Sequence, residues 1–95
     1  MSYAVIARYR CAPRDAALIR DTLLEMRERT REEPANLLYI VHADPGDPSA
    51  FTLYEQYTDL AGFEAHTRTA HFEEHIRGTV LPRLTDRTVS FADVL

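Results

Sequence analysis

Ninety-five residues, 45% hydrophobic and 27% charged, make one ordinary globular domain spanning residues 1–95. A net charge of −4 without a basic cluster argues against nucleic-acid and anionic-membrane partners, and no stretch approaches the ~18 apolar residues of a membrane span. All eleven cations are Arg, which excludes lysine Schiff-base chemistry, and the single Cys11 excludes an internal disulfide. Residues 1–10 hold two Arg and no long apolar run, so they do not read as a secretory signal, and the cytoplasm is the expected compartment.

In chain order, residues 3–10 (YAVIARYR) form a short apolar and aromatic run that predicts a strand, broken by Ala12-Pro13. Residues 14–33 are rich in Leu, Ala, Glu and Arg. Ala16, Ile19, Leu23, Met26 and Thr30 follow the rhythm of one helical face, and Pro34 ends the helix. Leu37–His42 predicts a second strand and Phe51–Tyr57 a third. Residues 43–49 (ADPGDPS) form a dense turn between them, so the pair is an antiparallel hairpin. Thr58 or Asp59 is placed to cap a short helix through residue 67, and Thr69 to cap another from Ala70 to about Val80, near Pro82. Residues 87–94 (RTVSFADV) alternate as a last strand.

Strand, helix, strand, strand, helix, strand is the ferredoxin-like β-α-β-β-α-β order, an α+β fold with both helices on one face of a four-stranded antiparallel sheet. The other face is normally wet. Here the strands are apolar on both parities: Val5 and Ala7 against Ile6, Leu38 and Ile40 against Tyr39 and Val41. A chain this short has no second cover of its own, so a homodimer is expected.

From Glu33-Pro34 to Phe72 the chain carries an ordered series of motifs. A strand begins near Leu38-Tyr39, and a turn follows with Asp44-Pro45 and Asp47-Pro48. Next come Phe51-x-Leu53-Tyr54-Glu55-x-Tyr57 and Phe63-Glu64-Ala65-His66-x-x-Thr69-x-His71-Phe72. This series resembles the antibiotic biosynthesis monooxygenase family of dimeric α+β barrels. The resemblance implies a homodimer with sheets packed face to face and a ligand cavity between sheet and helices in each subunit. It also implies oxygenation of anthrones, quinols or related phenolic compounds without metal or flavin. Other members of the family are isomerases or oxygenases of unrelated small molecules, and one branch degrades haem. Many relatives carry Trp where Tyr57 stands. The haem-degrading branch carries Asn on the first strand, whereas the only Asn here is Asn36, which argues against haem.

Cofactor-free oxygenation requires a base with a pKa near the working pH, donors for a phenolate or enolate, and a dry apolar wall. His is the natural base, and His66 and His71 match the family's two His positions in this segment. The candidate catalytic residues are therefore His71, His66 and Tyr57. His71 is the favoured base, because a helix start disfavours imidazolium. Tyr54, Glu55, Phe63, Phe72 and Arg8 are the candidate substrate-binding residues. Alternation puts Glu55 and Tyr57 on one sheet face and Tyr54 on the other, without saying which face meets the helices. His71-Phe72-Glu73-Glu74-His75 satisfies the H-x-x-E-H zinc signature, but a catalytic zinc needs a third protein ligand and a peptide cleft. No metal and no cofactor is therefore expected, and three Gly residues leave no phosphate-binding loop. The partner is a small-molecule substrate. Two further functions are open to the same chain: an isomerase or tautomerase of a small keto compound, or a non-catalytic dimer that binds a small molecule.

Overall fold

The computed structural model describes residues 1–95. Strand β1 (Tyr3–Cys11) is followed by helix α1 (Ala16–Thr30), the hairpin β2 (Asn36–Asp44) and β3 (Asp47–Tyr57), and helix α2 (Leu60–Thr67). A wide-turned π-helix (Phe72–Val80) and β4 (Leu84–Asp93) complete the chain. The strands pair antiparallel in the order β2-β3-β1-β4. The fold is the ferredoxin-like α+β sheet with helices on one face. No helix is long and apolar enough to cross a membrane.

Alternation along the strands builds the core. Val5, Ala7, Tyr9 and Cys11 on β1 are buried, as are Phe51, Leu53, Glu55 and Tyr57 on β3, all on the helix-facing side. The α1 stripe of Ile19, Leu23, Met26 and Thr30 is fully buried over them. Burial of each large apolar side chain there stabilises the fold by ~1.5–3 kcal/mol. From the π-helix, Ile76 and Val80 pack against the same core and against α1.

The opposite face is apolar only at one end. There Leu38, Ile40, Tyr54 and Ile6 are half-buried, and small Ala4 lies beneath its neighbours. Towards the β2–β3 turn the same face carries His42, Thr52, Arg8, Arg10 and Thr88.

Several boundaries differ from the sequence reading. Helix α1 stops at Thr30 rather than 33, because Glu32 and Glu33 donate their amides to Arg29 and Thr30 carbonyls and tighten the chain before Pro34. The β2–β3 loop shrinks from seven residues to Pro45-Gly46. Asp44 and Asp47 each fold a side chain onto the local backbone, accepting from Gly46 N at 2.8 Å and Ser49 N at 2.9 Å. Of the two caps considered for α2, Asp59 takes the role, accepting from Gly62 N at 2.8 Å. Thr69 Oγ1 accepts from Phe72 N at 3.2 Å, as a cap there requires. Strand β4 begins at Leu84, three residues earlier than its alternation suggested.

The helices concentrate over β2 and β3, and none packs closely on β4. The helix-facing side of β4 is therefore thinly covered. Val89 is half-buried, while Arg87 and Phe91 are exposed.

Candidate functional site

The β3 alternation drives Glu55, a carboxylate, into the middle of the sheet's helix-facing side, with Tyr39 beside it on β2 and Val5 on β1. A buried carboxylate must find partners. Tyr57 Oη donates to Glu55 Oε1 at 2.7 Å, and His66 Nε2 of α2 lies 3.7 Å from the same oxygen. His66 is only 2% exposed. Its other nitrogen, Nδ1, meets Glu33 Oε2 at 2.9 Å, and His71 Nε2 meets that same oxygen at 2.6 Å. A polar chain thus runs Tyr57, Glu55, His66, Glu33, His71 from the core towards the surface, hydrogen-bonded at every step but the 3.7 Å approach of Glu55 to His66.

Each link has a local cause. Pro34 and the tightened turn after α1 hold Glu33 at the base of the helices. The Asp59 cap sets the start of α2, and Gly62 lets that helix approach the chain after Pro34. A Cβ at Gly62 would lie 2.7 Å from Ala35 Cβ. This close docking brings His66 over β3. The Thr69 turn then carries the chain to His71, beside Glu33.

The two carboxylates are pulled in opposite directions. Burial pushes Glu33 up, but hydrogen bonds and charge from His66 and His71 outweigh it, so its pKa lies below the ordinary carboxylate value. Burial also pushes Glu55 up. His66 and the Tyr57 hydroxyl offset this only in part, Glu33 adds to it, and the net shift is upward. The Tyr57 and Tyr39 hydroxyls are raised mainly by burial and then by the Glu55 charge. Tyr9 is pushed up to about 12, first by burial and then by Glu55, with the Arg87 guanidinium pulling the other way.

In front of His66 and Glu55 lies a small cavity of about 40 Å³, closed by Tyr39, Phe63, Phe72 and Ile76. That is room for one or a few small molecules of water size. It opens towards the thinly covered β4 side, where a cleft of about 610 Å³ is lined by Phe63, Phe72, Leu81, Arg87, Val89 and Phe91. The two spaces share Phe63, Phe72, Arg87 and Val89. The cleft falls in the size range of small-molecule sites, roughly 300–1,000 Å³, whereas the inner cavity does not. Aromatic rings form a continuous wall: Phe63 packs on Tyr57 at 5.6 Å, Tyr3 at 5.9 Å and Phe91 at 5.5 Å, and Phe72 meets His66 edge-on at 5.2 Å.

Of the residues singled out from sequence, the structure brings His66, Glu55, Phe63 and Phe72 to the inner cavity, with Tyr57 directly behind Glu55. His71 is joined to them through Glu33 and does not line the cavity. Tyr54 and Arg8 lie on the opposite face of the sheet. Tyr54 accepts from Gln56 Nε2 at 2.8 Å there, and Arg8 borders a separate polar recess of about 220 Å³ with Arg10 and Thr88. Glu33, Tyr9, Tyr39 and Arg87 were not singled out. The Glu-Pro pair marked Glu33, but nothing local indicated that its partners would come from residues 33 and 38 positions further along.

Ligand atoms of Glu33, His66 and His71 lie within 4.8 Å of one another, the one set able to approach a metal. Bonds of ~2.0–2.1 Å to a tetrahedral metal would hold its ligand atoms ~3.3 Å apart. The observed 2.6 and 2.9 Å are hydrogen-bond distances, with Glu33 Oε2 accepting from both rings. His75 of the H-x-x-E-H signature takes no part in it.

No curated protein matches the chain. Solved structures do match. A protein from Nitrosomonas europaea, 24% identical, superposes with a TM-score of 0.93 over 99% of this chain and 90% of its own. An antibiotic biosynthesis monooxygenase, 29% identical, gives 0.91 over 98% of each chain. A Pseudomonas aeruginosa protein, also 29% identical, gives 0.90 over 99% and 94%. The family profile for antibiotic biosynthesis monooxygenases matches residues 2–78, a stretch that holds Glu33, Glu55, Tyr57, His66 and His71 alike, and the chain belongs to that family.

Proposed function

We propose that this protein is a cofactor-independent monooxygenase of a small aromatic, quinol-like or anthrone-like substrate, with His66 as its base. The observation that carries this reading is the setting of His66. It is buried, held from behind by the Glu33 carboxylate at 2.9 Å, and lines the inner cavity with Glu55. A carboxylate on Nδ1 keeps the proton on that nitrogen and leaves the Nε2 lone pair free to accept another. The cleft supplies the apolar wall for an aromatic ring, and the inner cavity is of a size for dioxygen or water rather than for substrate.

Proton transfer from a substrate in the cleft to His66 Nε2, through a water in the inner cavity, leaves a phenolate or enolate electron-rich enough to reduce O₂. At an anthrone-type CH₂, one oxygen atom becomes the new carbonyl. The other leaves as water with the two hydrogens of that carbon, so the reaction balances without an outside reductant. Glu55, 3.7 Å from His66 Nε2 and with its carboxyl pKa raised by burial, is the neighbour placed to take that proton on. The functional unit in this reading is a homodimer formed through the half-apolar outer face of the sheet around Ile6, Leu38, Ile40 and Tyr54.

An oxygen electrode tests the reaction. A panel of anthrones and quinols is expected to show protein-dependent O₂ uptake with no added metal or reductant. His66→Gln is expected to lower the rate by ~10²–10⁴-fold in protein that circular dichroism shows to be folded at the assay temperature. His71→Gln, one step removed, should cost less. Uptake by no substrate, or full activity in a folded His66→Gln variant, overturns the proposal. The 3.7 Å approach of two proton-carrying groups, His66 and Glu55, also suits a keto–enol isomerase. Solvent deuterium entering a ketone without O₂ uptake would favour that second reading.

A further inference from the structure

The cleft over β4 has a chemical polarity that the catalytic chain does not explain. Its walls are aromatic and aliphatic: Phe63, Phe72, Phe91, Leu81 and Val89. Two cations stand at it, Arg77 and Arg87, and they are placed differently. Arg77 is already engaged, its Nε 3.3 Å from Glu73 and its guanidinium over the Phe72 ring at 5.2 Å. Arg87 makes no ion pair with any carboxylate in the molecule. Its backbone position opposite Tyr9 puts it at the boundary between the inner cavity and the cleft, and it lines both. It is also the only cation that the two spaces share.

We propose that Arg87 is an anion-recognition residue, and that the ligand of this cleft is a planar aromatic compound carrying a carboxylate. This rests on the monooxygenase reading only for the choice of cleft. A carboxylate offers two acceptors that match the guanidinium fork, and Arg87 has no carboxylate to give up first, only the neutral Tyr9 hydroxyl beside it. With the acid group on Arg87, the attached ring lies along Phe63, Phe72 and Phe91, and its inner edge faces the cavity lined by His66. The Tyr9 hydroxyl, across the strand pair from Arg87, remains a donor at neutral pH and suits a second contact to the same acid group.

Calorimetric titration of the whole protein with 2-naphthoate and with 2-naphthamide, its neutral isostere, tests this without any turnover. Naphthoate is expected to bind about 10- to 100-fold more tightly than the amide, the range for a hydrogen bond to a charged group. Arg87→Met should abolish that preference and leave amide binding and the melting temperature near wild type. Arg87→Lys should restore part of it. Arg77→Gln should leave it intact. Equal affinity of acid and amide overturns the proposal. So does an unchanged preference in Arg87→Met, or its loss in Arg77→Gln. Failure of both probes to bind also overturns it. A protein that prefers naphthoate but consumes no O₂ would remove the monooxygenase reading and leave this one standing.

Discussion

Glu33 organises the site although it touches neither cavity nor cleft. Its single Oε2 accepts from two histidines, and its pKa is depressed accordingly. Ionised Glu33 therefore stabilises the fold. That contribution is fully present above the unfolded carboxylate value of ~4.3 and is lost as pH falls through the lower folded value. Glu33→Gln should cost ~1–3 kcal/mol of stability at neutral pH, because a neutral amide carbonyl replaces the carboxylate that accepts from both histidines. The gap from wild type should close as the pH drops well below ~4. Thermal melts of both proteins at neutral and acid pH check this, and a pH-independent gap would show that charge is not involved. The neighbouring Glu55 acts in the opposite sense. Its raised pKa makes its ionisation a cost that grows as pH rises above the unfolded value, a cost the fold accepts beside buried His66.

At the scale of elements, the site depends on how closely α2 approaches the loop after α1. Gly62 is required for space rather than for backbone conformation, since no residue has a positive φ and an added Cβ would meet Ala35 Cβ at 2.7 Å. Gly62→Ala should destabilise the protein by ~1–3 kcal/mol despite alanine's better helix propensity, because overpacking outweighs the ~1 kcal/mol propensity gain. It should also lift His66 away from Glu55, seen as a shifted imidazole resonance. A variant as stable as wild type would show that α2 has room to move. Helix periodicity made α1 readable, and capping chemistry made the start of α2 readable. The π-helix from Phe72 was not. Its apolar residues Phe72, Ile76 and Val80 keep an i, i+4 spacing that reads as an ordinary helix, whereas the segment packed against α1 is wound in wider turns.

At the scale of the molecule, the two sheet faces divide the work. The helix-facing side holds the core and the polar chain, and the outer face is apolar around Leu38, Ile40, Tyr54 and Ile6. Light scattering at micromolar concentration should give about twice the 10.9 kDa chain mass. Ile40→Asp should shift that value towards the monomer, because an unpaired carboxylate in an apolar interface is costly. A wild-type monomer at that concentration would rule out the dimer.

The order of elements, the α1 core stripe and the pairing of β2 with β3 were legible in the chain. Each follows from periodicity, turn residues and proline over a few consecutive positions. The motif series likewise named His66 and His71, and strand parity separated Tyr54 from Glu55 and Tyr57. What parity could not say was which set met the helices, since that depends on how the whole sheet is covered. Tertiary packing put Glu55 inside and Tyr54 outside, joined two histidines through Glu33 across more than thirty residues of chain, and left Arg87 without a carboxylate partner at an open edge. These are contacts between groups far apart in sequence. Burial, charge and the missing helix cover over β4 arise only when the elements are assembled.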